Sequence, residues 1–223
     1  IHMLFRPIRQ LADRFNVLQM GMVASERVFK VLDTDSVIED KGIETIDKLE
    51  GSIEFKNVWF AYKDEDWVLK DVSFKLEAGQ TLALVGATGA GKSTIVNLLS
   101  RNYEINKGQI LIDGVDYLDI KLKSLRSSIS VVLQEVFLFS DSVLNNITLK
   151  QDISVEQVRA SAKELGIDGF INELPNNYSY NVRERGAMLS VGQKQLLSFL
   201  RAYVTNPKIL ILDEATSSID SVF

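Results

Sequence analysis

The most constraining feature of this sequence is the run Gly86–Ser93 (GATGAGKS), which fits the pattern G-x-x-x-x-G-K-[ST] in full. The apolar run Thr81–Val85 before it is predicted to be a strand, and residues 94–100 after it are predicted to be a helix. Glycines let successive backbone N–H groups converge on phosphate oxygens, and the N-terminus of a helix adds partial positive charge. The sequence therefore predicts a loop that cradles a nucleoside triphosphate.

This pattern also predicts which side chains bind the phosphates and the magnesium ion. We expect Lys92 to reach the β- and γ-phosphates and the Ser93 hydroxyl to bind Mg²⁺. The predicted phosphate-binding set is Gly86, Ala87, Thr88, Gly89, Ala90, Gly91, Lys92, Ser93 and Thr94.

Two acidic residues, Asp213 and Glu214, follow the apolar run Ile209–Leu212. Such a run is typical of a parallel strand that is covered on both faces. Because adjacent strand residues point to opposite faces, the two acids can have different roles. We expect Asp213 to lie on the magnesium side, and Glu214 to act as the general base toward the attacking water.

The remaining patterns indicate an α/β protein. Alternating apolar positions predict antiparallel strands over 52–62 and 72–76, and further short strands are predicted at 110–112 and 130–133. Helices are predicted over 155–174 and 191–205. Strands that alternate with helices in this way are typical of an α/β core.

The N-terminal part of the chain differs in the spacing of its apolar residues and in its charge. Apolar residues at 4-3-4-3 spacing predict one long helix over 4–32, which carries five basic and two acidic residues. It is either a surface helix packed on its own domain or a basic helix that continues from a membrane span absent from this chain. No run of 18 apolar residues exists, and residues 33–50, with seven acidic and two basic residues, are predicted to be a solvated linker.

Composition excludes several chemistries. The chain has no Cys and a single His, His2, so a thiolate nucleophile, a Cys-ligated metal or a Ser-His-Asp triad has no basis. The formal net charge is −5 at pH 7, which disfavours sequence-independent nucleic-acid binding.

Further motifs complete a resemblance to the ATP-binding-cassette (ABC) family. The segment Leu189–Gln193 (LSVGQ) resembles the family's LSGGQ signature, with Val191 in place of the middle glycine. Gln134 resembles the Q-loop glutamine, Tyr62 stands where the family has an adenine-stacking aromatic residue, and Ser217–Asp220 resembles the D-loop. Together with the phosphate loop and the two acids, these motifs occur in the family's order over residues 51–220.

This resemblance implies a P-loop NTPase (RecA-like) core with an antiparallel β subdomain and an α-helical subdomain, and ATP and Mg²⁺ as cofactors. It implies that Glu214, Lys92 and Gln134 are catalytic and that Ser93, Gln134 and Asp213 serve the metal. It also implies that Tyr62 stacks on the base, while Ser190, Gly192 and Gln193 of one chain contact the ATP of another.

Within the family, the sequence resembles exporters. Arg183–Gly186 (RERG) resembles the exporters' GERG segment, with Arg183 replacing the first glycine, and residues 4–33 resemble the end of a last transmembrane helix. The implied organisation is a helix at 1–32, an acidic linker at 33–50 and a nucleotide-binding domain at 51–223. The implied partners are a second nucleotide-binding domain, in a head-to-tail homo- or heterodimer, and a transmembrane domain. The implied function is ATP-driven solute export at the cytoplasmic face of a membrane.

Two alternatives are weighed against this interpretation. A soluble cassette ATPase of chromosomes or ribosomes is disfavoured because only 55 positions separate Gln134 from Leu189, too few for an inserted coiled coil, and only one cassette is present. A P-loop kinase or GTPase is disfavoured by the LSVGQ segment and by the lack of an N-K-x-D motif. Phe223 precedes the position of the family's switch histidine, so we expect a C-terminally truncated domain with weak ATP binding and little hydrolysis.

Overall fold

The structure is a computed structural model that describes residues 2–34, 38–44 and 49–213. It divides into two compact units between Glu39 and Asp40.

The first unit contains one long helix, α1 (His2–Leu32). Its bounds agree with the predicted helix, and Pro7 lies within it without ending it. The apolar stripe is exposed along the helix, as at Leu11, Phe15 and Phe29. None of the helices in the described ranges is long and apolar enough to cross a membrane.

An antiparallel sheet opens the second unit, as the alternating pattern predicts. It contains β1 (Ile53–Ala61), β2 (Trp67–Leu76), β3 (Lys107–Ile112) and β4 (Val115–Asp116), in the order β2-β1-β3-β4. Phe55 on β1 lies opposite Phe74 on β2 and stacks on it at 4.5 Å between ring centroids. The inward faces of this sheet build the first hydrophobic core together with α2 (Lys92–Leu99).

A parallel pair of strands forms the other sheet. β5 (Ile129–Val132) follows α3 (Leu122–Ser128), and it pairs in register with β6 (Ile209–Leu212), so that Val132 lies opposite Leu212. The bounds of β6 are those predicted, but the expectation that it is covered on both faces is wrong. Ile209 is buried, whereas Leu210 and Leu212, which point to the opposite face, are 37% and 47% exposed. Among the described residues, the face that carries Leu210 and Leu212 is only partly covered.

The strand predicted over Thr81–Val85 does not form. These residues are described, yet they pair with none of the described strands. A strand without a ladder partner leaves its backbone groups to solvent, and the side chain of Val85 is 93% exposed. An apolar run is therefore not sufficient for a strand.

A helical region with its own core follows β5. It consists of α4 (Val143–Thr148), α5 (Val155–Glu164), α6 (Asp168–Glu173) and α7 (Val191–Tyr203), with two 3-10 turns between α6 and α7. Its buried residues, among them Ile147, Ile171 and Leu200, form a second cluster distinct from the first. This arrangement agrees with the predicted helical subdomain.

Residues 38–44 are mostly exposed, and two of them, Asp40 and Glu44, have hydrogen-bond partners in the second unit. Asp40 accepts a hydrogen bond from the backbone N–H of Leu122 at 3.0 Å and lies 3.8 Å from the buried guanidinium of Arg101. Glu44 accepts from the N–H of Lys121 at 2.9 Å. Both residues belong to the second unit, so these contacts hold its first residues against the segment around Lys121 and Leu122.

Candidate nucleotide site

The predicted phosphate loop is a turn that leads directly into α2. Gly89 and Gly91 have φ of 84° and 91°, a left-handed backbone that favours glycine. Gly91 precedes the first residue of α2, and a Cβ there would lie 2.6 Å from Cδ2 of Leu69. Glycine is thus required at position 91 by both its backbone angle and its neighbour.

Lys92 is held over this loop by the loop's own carbonyls. Its Nζ donates to the carbonyl of Gly86 at 2.8 Å and to that of Ala87 at 3.0 Å. The loop is closed by the N–H of Ala90, which donates to the carbonyl of Ala87 at 3.1 Å. The ammonium group therefore lies beside the exposed residues 86–90, where an anionic ligand would enter.

Ser93 and Asp213 lie close together although 120 positions separate them in the sequence. Oγ of Ser93 lies 3.5 Å from Oδ2 of Asp213. Two oxygen ligands of one octahedral Mg²⁺, each at about 2.0–2.1 Å, are about 3 Å apart, so the two side chains fit one magnesium ion with little adjustment. The described residues contain no group of three or more His, Asp or Glu side chains that could hold a metal. A magnesium ion here would therefore complete its shell with phosphate oxygens and water.

The ends of the parallel strands bring Gln134 to the same edge as Asp213. The N–H of Asp213 donates to the carbonyl of Val132 at 3.0 Å, just beyond the paired residues of β5 and β6. Gln134 is exposed and follows Val132 by two residues. The two predicted magnesium-side residues thus leave the sheet at one end.

Tyr62 is connected to the phosphate-loop helix through its hydroxyl group. It directly follows β1, its side chain is 50% exposed, and its Oη lies 3.1 Å from Oγ1 of Thr94. Thr94 is a buried residue in the first turn of α2. An aromatic ring that is open to solvent on this side is suited to stack on a base.

The predicted signature residues begin α7. The Ser190 hydroxyl accepts from the N–H of Gln193 at 3.2 Å, and Oε1 of Gln193 accepts from the N–H of Ser190 at 3.0 Å. This capping box explains both residue types, and Gly192 lies between them in the first turn. In the part of the chain that the structure describes, no hydrogen bond joins residues 189–193 to the phosphate loop.

Arg183 occupies a backbone conformation that suits glycine. Its φ is 58° and its ψ is −172°, a region that is essentially restricted to glycine. Gly186, three residues on, is buried with φ of 65°, and a Cβ there would lie 2.8 Å from Cδ1 of Leu138. The backbone conformation at position 183 therefore explains why the GERG segment of exporters has a glycine there.

Arg201 was not predicted, although it ties α7 to the segment after Gln134. Its Nε donates to the carbonyl of Asn146 at 2.7 Å, and its Nη1 and Nη2 donate to the carbonyl of Phe137 at 3.1 and 3.2 Å. Burial lowers the pKa of the Arg201 guanidinium. The only signal in the sequence was a charge flanked by apolar residues at 200 and 202.

The proposed base, Glu214, and the D-loop segment Ser217–Asp220 lie outside the described residues. Their roles stay predictions from the sequence.

A phosphate loop before a helix, with a Ser–Asp pair beside it and an aromatic residue at its flank, defines a nucleotide-binding protein of the P-loop class. The family model described as "ABC transporter" matches residues 69–217, more than half of the chain. The chain therefore belongs to the ABC transporter family.

The chain is similar to proteins described as an ABC transporter ATP-binding protein, a flippase and an exporter. It is 46% identical, over 98% of its length, to the uncharacterized ABC transporter ATP-binding protein YknV of Bacillus subtilis. It is 44% identical, over 97% of its length, to an ATP-dependent lipid A-core flippase of Hahella chejuensis. A solved bacterial Atm1-family ABC exporter with ATP bound matches 99% of the chain with 38% identity and a TM-score of 0.80.

The chain spans between 37% and 39% of the length of these three relatives. None of these three relatives is described as a soluble chromosome or ribosome ATPase.

Proposed function

We propose that this chain binds and hydrolyses Mg²⁺-ATP to power solute export, as the nucleotide-binding domain of a membrane transporter. The observation that carries the proposal is the 3.5 Å approach of Ser93 to Asp213 beside the carbonyl-held ammonium of Lys92. One anion-binding loop and two oxygen ligands meet there, which is the arrangement that a triphosphate with its magnesium ion requires. The similarity to exporter relatives supports the transport role.

In the proposed site, the N–H groups of the loop and Lys92 bind the phosphates, and the Tyr62 ring stacks on the base. Ser93 and Asp213 hold Mg²⁺, with Gln134 at the same edge of the sheet. Mg²⁺ held there would supply charge neutralisation to the phosphates.

Hydrolysis requires a water molecule that is oriented toward the γ-phosphorus. Glu214 takes a proton from this water as its oxygen bonds to phosphorus and the bond to the leaving ADP oxygen breaks. In the full transporter, Glu214→Gln should keep ATP binding and lose about 10²–10⁴ in hydrolysis rate. A Glu214→Gln variant with near wild-type turnover would exclude this role.

The complete site is proposed to form between two chains. Ser190 is exposed at the start of α7, and the apolar side chains of Met188 and Val191 on either side of it are exposed as well. A polar helix start framed by apolar side chains suits contact with another protein surface. We propose that Ser190, Gly192 and Gln193 contact the γ-phosphate held by a second copy or a close relative, in a head-to-tail dimer.

Mixing two inactive variants tests this arrangement. Ser190→Asp keeps a good helix cap but places a carboxylate against the triphosphate, and Lys92→Ala disables the phosphate loop. Each variant alone should be inactive, whereas their mixture should regain part of the wild-type ATPase because the heterodimer has one intact composite site. Ser190→Thr, which keeps both cap and hydroxyl, is the matched control.

The dependence of ATPase turnover on protein concentration is a second test of the dimer. ATPase turnover of the 223-residue chain should be low, should require Mg²⁺, and should rise with protein concentration, since dimer formation follows mass action. Turnover that is independent of concentration, with no rescue in the mixture, would place a complete site in one chain.

A surface next to Gln134 is proposed to receive the transmembrane domain. Phe137 and Phe139 are 56% and 54% exposed and pack edge to face at 5.0 Å. Phe137 also lines a groove of about 650 Å³ between β5 and α7. Exposed aromatic residues at the rim of a groove are suited to a partner helix, and such a partner would place the chain at the cytoplasmic face of the membrane.

A further inference from the structure

Three aromatic rings meet beside the phosphate-loop helix. Tyr62 lies between Phe60 and Tyr103, with ring centroids 4.8 and 5.0 Å away and interplanar angles of 85° and 88°. Phe60 and Tyr103 also touch, at 5.8 Å between centroids. Phe60 belongs to the first hydrophobic core, whereas Tyr62 and Tyr103 are 50% and 45% exposed.

These contacts restrain Tyr62 at both ends of its side chain. The ring is braced by two perpendicular neighbours, in the edge-to-face geometry that aromatic rings favour. The hydroxyl is held by Thr94 at 3.1 Å. A half-exposed tyrosine without such contacts would sample several rotamers, and binding a base would then require ordering it.

We propose that Tyr103 is a positioning residue of the nucleotide-base site, which holds the Tyr62 ring in its stacking orientation before the nucleotide binds. The inference rests on the proposed stacking role of Tyr62. Tyr103 follows α2 and is far from Tyr62 in the sequence, so the fold alone brings it to the base site. Tyr103 acts through Tyr62. Nearly half of its side chain is exposed to solvent, which is not expected of a tyrosine used only for core packing.

Comparing ATP with inorganic tripolyphosphate separates base binding from phosphate binding. In the 223-residue chain with Mg²⁺, Tyr103→Leu should weaken ATP binding by about two- to tenfold, the range expected from ordering one side chain. Tripolyphosphate binding should not change, because that ligand has no base. Tyr103→Phe keeps the ring and should bind both ligands as the wild type does.

Tyr203→Leu is the matched control. Tyr203 also contacts another aromatic ring, Phe199 at 6.5 Å on α7, but it is outside the base site. This variant should leave the ratio of ATP to tripolyphosphate affinity unchanged. Tyr103→Met, which keeps an apolar side chain of similar length, repeats the test in case Tyr103→Leu does not fold.

Tyr62→Ala distinguishes failure of the inference from failure of the proposed function. If Tyr62→Ala leaves the ratio unchanged, the stacking role of Tyr62 is wrong. If Tyr62→Ala lowers ATP affinity alone while Tyr103→Leu and Tyr103→Met do not, Tyr103 does not position the ring. Equal weakening of ATP and tripolyphosphate by the Tyr103 variants would also overturn the inference, because it would assign Tyr103 to the general fold of the loop.

Discussion

Oγ of Ser93 lies 3.5 Å from Oδ2 of Asp213, although 120 positions separate the two residues in the sequence. This distance exceeds the usual O–H···O hydrogen-bond length of about 2.5–3.0 Å, so the pair gains little from direct bonding. The distance is close to the separation of about 3 Å between two oxygen ligands of one Mg²⁺, which is the role proposed for this pair.

The first prediction follows from this shared role. Ser93→Ala and Asp213→Asn should each weaken Mg²⁺-ATP binding by about tenfold or more. The loss of affinity in the double variant should be smaller than the product of the two single losses, because both changes remove the same ion. Titration calorimetry with Mg²⁺ and with EDTA checks this. In EDTA the variants should match the wild type, and Ser93→Thr should match it in both conditions. Fully multiplicative losses would contradict a common ion.

The second prediction concerns Asp113, which fastens the start of β1. Its carboxylate accepts hydrogen bonds from the N–H groups of Glu50, Gly51 and Ser52 at 2.7–3.2 Å. Burial opposes ionisation of Asp113, but these bonds and the Ser52 hydroxyl outweigh it and lower the pKa of the carboxyl group. Asp113→Ala should therefore destabilise the protein by about 2–3 kcal/mol in urea unfolding at pH 7.

The pH dependence of this contribution has a definite sign. A lowered pKa means that the stabilisation is complete above the unfolded value of about 3.9 and is lost as the pH falls through the folded value. Asp113→Asn should accordingly flatten the fall in stability below about pH 4.

The third prediction is that Arg183→Gly stabilises the protein. The backbone of Arg183 is strained, which typically costs about 1–3 kcal/mol, and glycine would relieve this strain. The greater conformational freedom of glycine in the unfolded chain offsets about 0.5–1 kcal/mol of that gain. The expected net gain is about 0.5–2 kcal/mol in the free energy of unfolding. Arg183→Ala keeps the Cβ and therefore the strain, so it should show no gain. A gain of equal size in both variants would point to the arginine side chain instead.

The fourth prediction concerns the link between α7 and the segment that follows Gln134. Arg201→Met removes the hydrogen bonds to the carbonyls of Phe137 and Asn146 and should destabilise the protein by about 2–3 kcal/mol. Arg201→Lys keeps the charge but cannot form the planar fork, so its loss should be intermediate. Denaturant midpoints measure both effects. Lys163→Met, at an exposed position on α5, should change stability little.

The sequence predicted most accurately those elements whose local pattern and packing agree. β6 has the predicted bounds, and α1 agrees with the predicted helix to within two residues, because apolar runs and helical spacing are local signals. The strand over residues 81–85 failed for the opposite reason: its formation depends on a neighbouring strand that no local pattern supplies.

Within the site, motifs predicted residue types but not the contacts that hold them. Gly89 and Gly91 of the phosphate loop fit the pattern because their backbone angles favour glycine. The contacts of Tyr103 with Tyr62 and of Arg201 with Phe137 join residues that are distant in sequence, so no spacing rule reveals them. Such long-range contacts emerge only when the chain has folded.

The capping box at Ser190 has a consequence for how one hydroxyl group can serve two purposes. The helix uses an oxygen lone pair, because Ser190 accepts from the N–H of Gln193. The hydroxyl proton is not needed for the cap and can point away from the helix toward an anion. Aspartate would begin the helix equally well, but an ionised carboxylate has no proton to offer. A serine at this position thus reconciles the start of a helix with donation to a phosphate oxygen from another molecule.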